Sequence, residues 1–212
     1  MQHLRTALAV LALGLSAGAA SAQVITNGGF DANSGYITTN VTGWTVQFGN
    51  VDLVYAGAPG SSVLLESLMT GATGNALDLN GLVPAMISQV LQTTAGQTYN
   101  ISFSYAANPG VDPGDNPLST FTMMLSPVSG GSGVLSSNLT GSGSSWATYS
   151  GSFTAAGLTT LSFLSTDYSG SLPYGAMLDN VSVTAVPEPA EYAMLIAGLG
   201  VIGAVARRRK AA

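Results

Sequence analysis

Apolar and polar residues alternate with a period of two along most of this chain. Tyr99-Asn100-Ile101-Ser102-Phe103-Ser104-Tyr105 is the clearest run, and Phe121-Thr122-Met123 and Ser150 to Phe153 repeat the pattern. Successive side chains of a strand point to opposite faces, so these runs predict half-buried strands. Turn-forming clusters separate them: Asn27-Gly28-Gly29, Ala58-Pro59-Gly60, Thr94-Ala95-Gly96, Asn108-Pro109-Gly110 and Ser129-Gly130-Gly131. The pattern predicts strands near 24–26, 44–47, 51–55, 62–66, 75–79, 86–93, 97–107, 118–126, 134–138, 146–154, 158–166 and 176–185. No stretch between the two ends carries an apolar face at helical spacing. Many short strands with turns between them indicate an all-β fold, an antiparallel β-sandwich or jelly roll. Parity places Phe30, Tyr99, Phe103, Phe121, Phe153 and Phe163 in the core. Trp44 and Trp146, which begin alternating strands, are assigned there as well.

The two ends follow other rules. His3 and Arg5 precede the apolar run Ala7 to Leu15, and Ala20-Ser21-Ala22 is an A-x-A cleavage site. Residues 1–22 therefore read as a signal peptide, with the mature chain starting at Gln23. At the other end come Val186-Pro187-Glu188-Pro189, the uncharged run Tyr192 to Ala206, and Arg207-Arg208-Arg209-Lys210. Pro187 and Pro189 lack amide donors and hold the residues before them extended, which makes an exposed hinge. Fifteen apolar residues span roughly 22 Å as a helix, against a hydrocarbon core of about 30 Å, so the predicted transmembrane helix 192–206 is short. The basic tail 207–210 compensates by snorkelling to the cytoplasmic interface, which leaves everything before Pro187 outside. Between the addresses lie about 163 residues, enough for a single domain, 23–185, with a sizeable core.

Charge and composition narrow the chemistry. The chain has a formal net charge of -5, no cysteine and five Lys and Arg residues, all in the two ends. Residues 23–185 carry no basic side chain, while Asp31, Asp52, Glu66, Asp78, Asp112, Asp115, Asp167 and Asp179 are acidic. A polyanion repels phosphate backbones, which excludes nucleic acid as a partner. Without cysteine no disulfide staples the fold. Without His, Cys, Lys or Arg the domain has no imidazole base, thiolate, Schiff-base lysine or arginine clamp, and no histidine or cysteine zinc ligand. What remains is carboxylate chemistry, either a glycosidase pair or a hard-cation site. Asp112-Pro113-Gly114-Asp115-Asn116 lacks the spacing of an EF-hand loop and reads as a solvated turn. No catalytic residue is assigned. In the last strand Asp179 shares parity with Met177, Val181 and Val183, which places its carboxylate on the apolar side with backbone amides or a cation as its only compensation.

The C-terminal elements, in this order at the end of the chain, resemble the PEP-CTERM sorting signal of Gram-negative bacteria. That resemblance rests on Val186, Pro187, Glu188 and Pro189, the glycine-containing helix Ala193 to Gly200, and Arg207, Arg208 and Arg209. It implies recognition by an exosortase, a transient inner-membrane tether, cleavage near Pro-Glu-Pro, and delivery to the envelope or an extracellular matrix. No Leu-Pro-x-Thr-Gly sequence precedes the helix, so the Gram-positive sortase route is disfavoured.

Within the domain, Asn27-Gly28-Gly29-Phe30-Asp31, Gly43-Trp44-Thr45-Val46, Gly49-Asn50-Val51-Asp52, Asp78-Leu79-Asn80-Gly81, Ile87-Ser88-Gln89, Gly96-Gln97-Thr98-Tyr99 and Leu178-Asp179-Asn180-Val181 follow in order. Together they resemble the choice-of-anchor C family, relatives of the DUF642 proteins and, more distantly, of galactose-binding-like carbohydrate-binding modules. The resemblance implies a galactose-binding-like β-sandwich and association with cell-surface polysaccharide. In related modules an acidic residue after the opening Asn-Gly-x-Phe and an aspartate in the closing strand join backbone oxygens around a structural Ca2+. The matching positions are Asp31 and Asp179, with Asp31 where those modules often have the longer Glu. The alternative is that Asp31 caps a turn and Asp179 lies at a frayed edge. For sugar recognition an exposed ring is needed against a pyranose face, and Tyr36, Tyr55 and Tyr174, near turns, are the candidates. The expected protein is a non-enzymatic, exported glycan-binding module for neutral polysaccharide or cell-wall glycan. A structural matrix protein without a ligand pocket and a carboxylate glycosidase are the rivals.

Overall fold

The computed structural model describes residues 24–33, 37–55, 74–108, 118–130, 135–142, 145–166 and 174–210. Among the described residues twelve strands form two antiparallel six-stranded sheets. The first sheet contains β1 (Ile37–Thr38), β4 (Val51–Val54), β5 (Ala76–Asp78), β12 (Ala176–Ala185), β7 (Thr98–Ala107) and β10 (Ala147–Thr154), in that spatial order. The second contains β2 (Asn40–Val41), β3 (Trp44–Phe48), β6 (Met86–Leu91), β11 (Thr159–Ser165), β8 (Leu118–Pro127) and β9 (Leu135–Ser142). The expected all-β sandwich forms, and ten of its strands, β3 to β12, coincide with predicted ones. The short strands β1 and β2 have too few residues to show a period. The strand expected at 62–66 lies outside the described residues.

The sheets bury one continuous apolar core. Phe103 sits at its centre, stacked on Tyr149 with centroids 5.0 Å apart and edge-on to Phe163 at 5.0 Å. The core assignment of Trp44 is met, because its ring is buried between Phe30 at 5.7 Å and Phe163 at 5.9 Å. A second, smaller cluster of Val54, Ala76, Ala106 and Met177, with Trp146 packed against it, covers the opposite face of the first sheet. Burial on both faces explains why β4 and β5 read as unbroken buried runs rather than alternating ones.

Three expectations need correction. Trp146 is half-buried against the smaller outer cluster of the first sheet rather than in the main core, because it lies on the face that carries Ala106 and Met177. The segment 24–26 is not a strand. Val24 N does donate to Val183 O at 2.9 Å, but the rest of the segment is tied by a side chain. The Gln89 amide mimics a strand neighbour, accepting from Thr26 N at 2.7 Å and donating to Thr26 O at 2.9 Å and Gly43 O at 2.7 Å. The parity of the last strand is also interrupted. The register of β12 against β7 shifts between Asp179 and Ser182, and Asn180 sits at φ 54°. Such a bulge inserts a residue and flips the following side chains to the other face. Leu178 before it and Val181 and Val183 after it enter the main core, while Met177 joins the smaller cluster. Asp179 thus lies on the Met177 side, away from the core that holds Val181.

Beyond Ala185 the backbone of Val186 is still tied, its N donating to Thr98 O at 2.8 Å and its O accepting from Gln97 Nε2 at 2.6 Å. The compact unit ends there. A helix, α1, follows over Pro189–Lys210, with Pro189 at its first turn where a missing amide costs nothing. It contains the predicted run 192–206 and continues through the basic residues. Among the described residues no helix is long and apolar enough to cross a membrane.

Candidate functional site

The strands of the second sheet carry no charged side chain at all. The acidic residues that lie in strands, Asp52, Asp78 and Asp179, all belong to the first sheet. The outer face of the second sheet is therefore a neutral surface. One row across it, set by register, runs Phe48, Met86, Leu164, Thr122, Asn138. A register shift between Val46 and Phe48 turns Phe48 outward, where it is 48% exposed. Adjacent strands are about 4.8 Å apart, so this row spans about 19 Å from ring to amide. Hydroxyls and amides surround it: Gln47 Nε2 donates to Ser88 Oγ at 2.8 Å, and Thr122 Oγ1 donates to Asn138 Oδ1 at 2.7 Å.

Asp31 and Asp179 are brought to one place. A Cβ built on Gly29 would lie 3.2 Å from Asp31 Oδ2 and 3.7 Å from Asp179 Oδ1. The turn that achieves this is conformationally demanding. Asn27 and Phe30 have φ of 53° and 57°, a left-handed region that costs non-glycine residues of order 1 kcal/mol or more. Phe30 is held there by full burial against Trp44, and Asn27 by its side chain, which binds Thr42 O at 2.9 Å and accepts from Ala32 N at 3.1 Å. Gly28 is required between them, because a Cβ would collide with the Val181 carbonyl. Asp179 is fully buried, with Asn180 N donating to Oδ1 at 2.6 Å and Asn180 Nδ2 to Oδ2 at 3.0 Å. Asp31 is exposed and accepts from Asn75 N at 2.8 Å. The donors are hard oxygens, a set that suits Ca2+. Among the described residues no three His, Cys, Asp or Glu side chains gather around a common point, so any ion here would complete its shell with backbone or amide oxygens.

Tyr55 and Tyr174 do not converge. Tyr36 lies outside the described residues. Tyr55 follows β4 and Tyr174 precedes β12, both half-buried. Register aligns Asp52 with Asp78 and Asp78 with Met177, so Tyr55 and Tyr174 lie six residues apart along the sheet, about 20 Å, at opposite ends.

A further cluster escaped the sequence reading. Asp52 and Asp78 are direct cross-strand partners on the outer side of the first sheet, 6% and 0% exposed. Asp78 is well supplied with donors: Asn80 N at 2.7 Å and Gly175 N at 3.0 Å to Oδ1, and Asn108 Nδ2 at 2.7 Å to Oδ2. Burial still pushes its carboxyl up to about 7, those three hydrogen bonds resisting and the Asp52 charge adding to the rise. Burial pushes Asp52 up to about 6. The signal was present in Asn50-Val51-Asp52 and Asp78-Leu79-Asn80, where an aspartate interrupts an apolar strand, but pairing them requires the register.

The two-sheet antiparallel sandwich is similar in fold to solved carbohydrate-binding modules. A family 16 carbohydrate-binding module matches it with a TM-score of 0.51 at 13% identity, over 76% of this chain and 99% of that one. A CBM22-1 xylan-binding domain from Paenibacillus barcinonensis (TM-score 0.49, 16% identity, 79% and 97% covered) and TmCBM61, solved with β-1,4-galactotriose (0.48, 13%, 78% and 100%), are also similar. No curated protein sequence matches the chain. The chain belongs to the DUF642 family, described as a protein of unknown function, whose model matches residues 26–184. Residues 185–210 match the PEP-CTERM protein-sorting motif, the mark of an exported protein sorted through the membrane and processed by an exosortase.

Proposed function

We propose that this protein is an exported, non-catalytic module that binds neutral polysaccharide through the outer face of its second sheet. The observation that carries the reading is the segregation of charge: every strand of that sheet is uncharged, while its outer face offers Phe48, Met86 and Leu164 beside Thr122, Asn138 and Gln47. An apolar strip flanked by hydroxyls and amides matches a pyranose chain, which presents C–H faces and hydroxyl edges alternately. The sandwich architecture it shares with a carbohydrate-binding module supports the same reading at the level of fold. Tyr55 and Tyr174 would contribute only as separate rims. In this proposal Asp31 and Asp179 hold a structural Ca2+ that fixes the opening turn to β12.

The same reading places the chain among choice-of-anchor C relatives of a Gram-negative host. Helix α1 tethers the precursor to the inner membrane with Arg207, Arg208, Arg209 and Lys210 on the cytoplasmic side, long side chains extending its short apolar run. Exosortase processing then delivers the domain to the envelope or matrix.

The test is a pull-down of the domain on a panel of insoluble neutral polysaccharides, with Phe48→Ala alongside. Saturable binding that falls at least tenfold in Phe48→Ala, at unchanged melting temperature, is expected. Binding that survives Phe48→Ala and is lost in Tyr55→Ala or Tyr174→Ala would move the site off this sheet, and no binding at all would sink the reading. A structural role in a matrix is favoured by one separate observation. The edge strands β9 and β10 are each eight residues long and carry neither charge nor proline, the devices that usually block edge pairing.

A further inference from the structure

We propose that Asp52 and Asp78 form a second hard-cation site, taking a divalent ion of the Ca2+ type, separate from Asp31 and Asp179. The pair is brought together by cross-strand register, with Asp52 on β4 directly opposite Asp78 on β5. Side chains directly opposite on neighbouring strands have Cβ atoms about 5 Å apart, within the reach of two carboxylates around one ion. Asp78 is satisfied as an anion by three neutral donors, Asn80 N, Gly175 N and Asn108 Nδ2. Asp52 is different. It is 6% exposed, and its Oδ1 is buried with no hydrogen-bond partner.

An ionised oxygen in that position needs a counter-charge, and residues 23–185 contain no Lys, Arg or His to supply one. Compensation has to come from solvent, as a proton or a cation. The surroundings of Asp52 favour a cation, because the Asn50 amide oxygen, which also accepts from Leu82 N at 2.6 Å, stands close to its unpartnered oxygen. A Cβ on Gly81 would lie 2.9 Å from Asp52 Oδ1 and 2.6 Å from Asn50 Oδ1, and one on Gly175 would lie 2.7 Å from both Asp78 Oδ1 and the amide carbon of Asn80. Glycine at both places lets backbone and amide oxygens close on the carboxylates without a side chain between them. Two carboxylates with asparagine amides and carbonyls are ligands of Ca2+ rather than of zinc or copper.

Equilibrium dialysis with radioactive Ca2+ at pH 7.5 tests this by counting ions per chain. Two ions are expected for the native protein. One remains in the Asp31→Asn/Asp179→Asn double variant, and that ion is lost when Asp52→Asn is added. A single ion in the native protein that disappears in the double variant would overturn the second site and leave the first standing. A single ion that survives the double variant and is lost in Asp52→Asn alone supports the second site and removes the first. No bound ion in the native protein overturns both. Should Asp52→Asn fail to fold, Asp78→Asn serves in its place, and the ion retained by the double variant alone still decides the question.

Discussion

Raising the pH from 4.5 to 8 in the presence of a chelator should destabilise the folded domain by about 4 kcal/mol, with Asp78 as the main cause. Its carboxyl moves from an ordinary value of 3.8 to about 7 on folding. At ~1.36 kcal/mol per tenfold change this corresponds to about 4 kcal/mol. The sign follows from proton counting. Between about pH 4 and pH 7 the folded state holds the proton and the unfolded chain does not, so stability falls as pH rises through that window. Below it the stabilisation is fully present, and above pH 7 it is gone. Asp52, raised to about 6, acts in the same direction over a narrower range. Against a typical total of ~5–15 kcal/mol the loss is large, and it corresponds to about 10 °C in melting temperature for a domain of this size. Urea denaturation followed by tryptophan fluorescence at the two pH values reads it directly. In Asp78→Asn, where Asn108 turns its amide to accept rather than donate, the dependence should flatten. A native domain as stable at pH 8 as at pH 4.5 would refute the argument, because it would mean that neither carboxylate resists ionisation. Ca2+ in place of chelator should recover stability at pH 8 and have little effect at pH 4.5.

Other outcomes follow from the same geometry. Phe103→Ala empties the centre of the aromatic cluster and should cost about 3–5 kcal/mol in urea denaturation. Gly28→Ala drives a methyl group into the Val181 carbonyl and should destabilise by more than 2 kcal/mol, whereas Gly198→Ala, where a Cβ meets nothing, should leave the melting temperature of the β-domain unchanged. Because residues 23–185 contain no basic side chain, no side-chain ion pair exists in them for salt to screen. Raising NaCl from 0.05 to about 0.5 M should therefore hold or raise the melting temperature, and a fall would contradict the absence of stabilising ion pairs.

Most of the sandwich was legible because period-two alternation survives wherever a strand has one wet face. β7, with buried Tyr99, Ile101 and Phe103 alternating with more exposed neighbours, is the plain case. The parts that were not legible share a cause, which is that they depend on register. The bulge at Asn180 reverses parity within β12, so the side to which Asp179 points could not be read from spacing alone. Asp52 and Asp78 lie well apart in sequence, on β4 and β5, and meet only through strand pairing. Phe48 lies just beyond the strand expected at 44–47 and is turned outward by a one-residue shift. The Asp31 and Asp179 juxtaposition was reached through family resemblance rather than through the residues themselves. Tyr55 and Tyr174 failed to converge because nearness to a turn says nothing about which end of the sandwich that turn occupies.

Val186 closes the folded unit, which overlaps the first two residues of the sorting motif. Both its backbone groups are engaged by Gln97 and Thr98, and the next residue is Pro187, which has no amide to give. A peptidase acting anywhere beyond Val186 therefore shortens the chain without withdrawing one strand hydrogen bond from the sandwich. Removal of the segment beyond Val186 is expected to leave the strand pairing of the domain intact, and precursor and product are expected to melt alike.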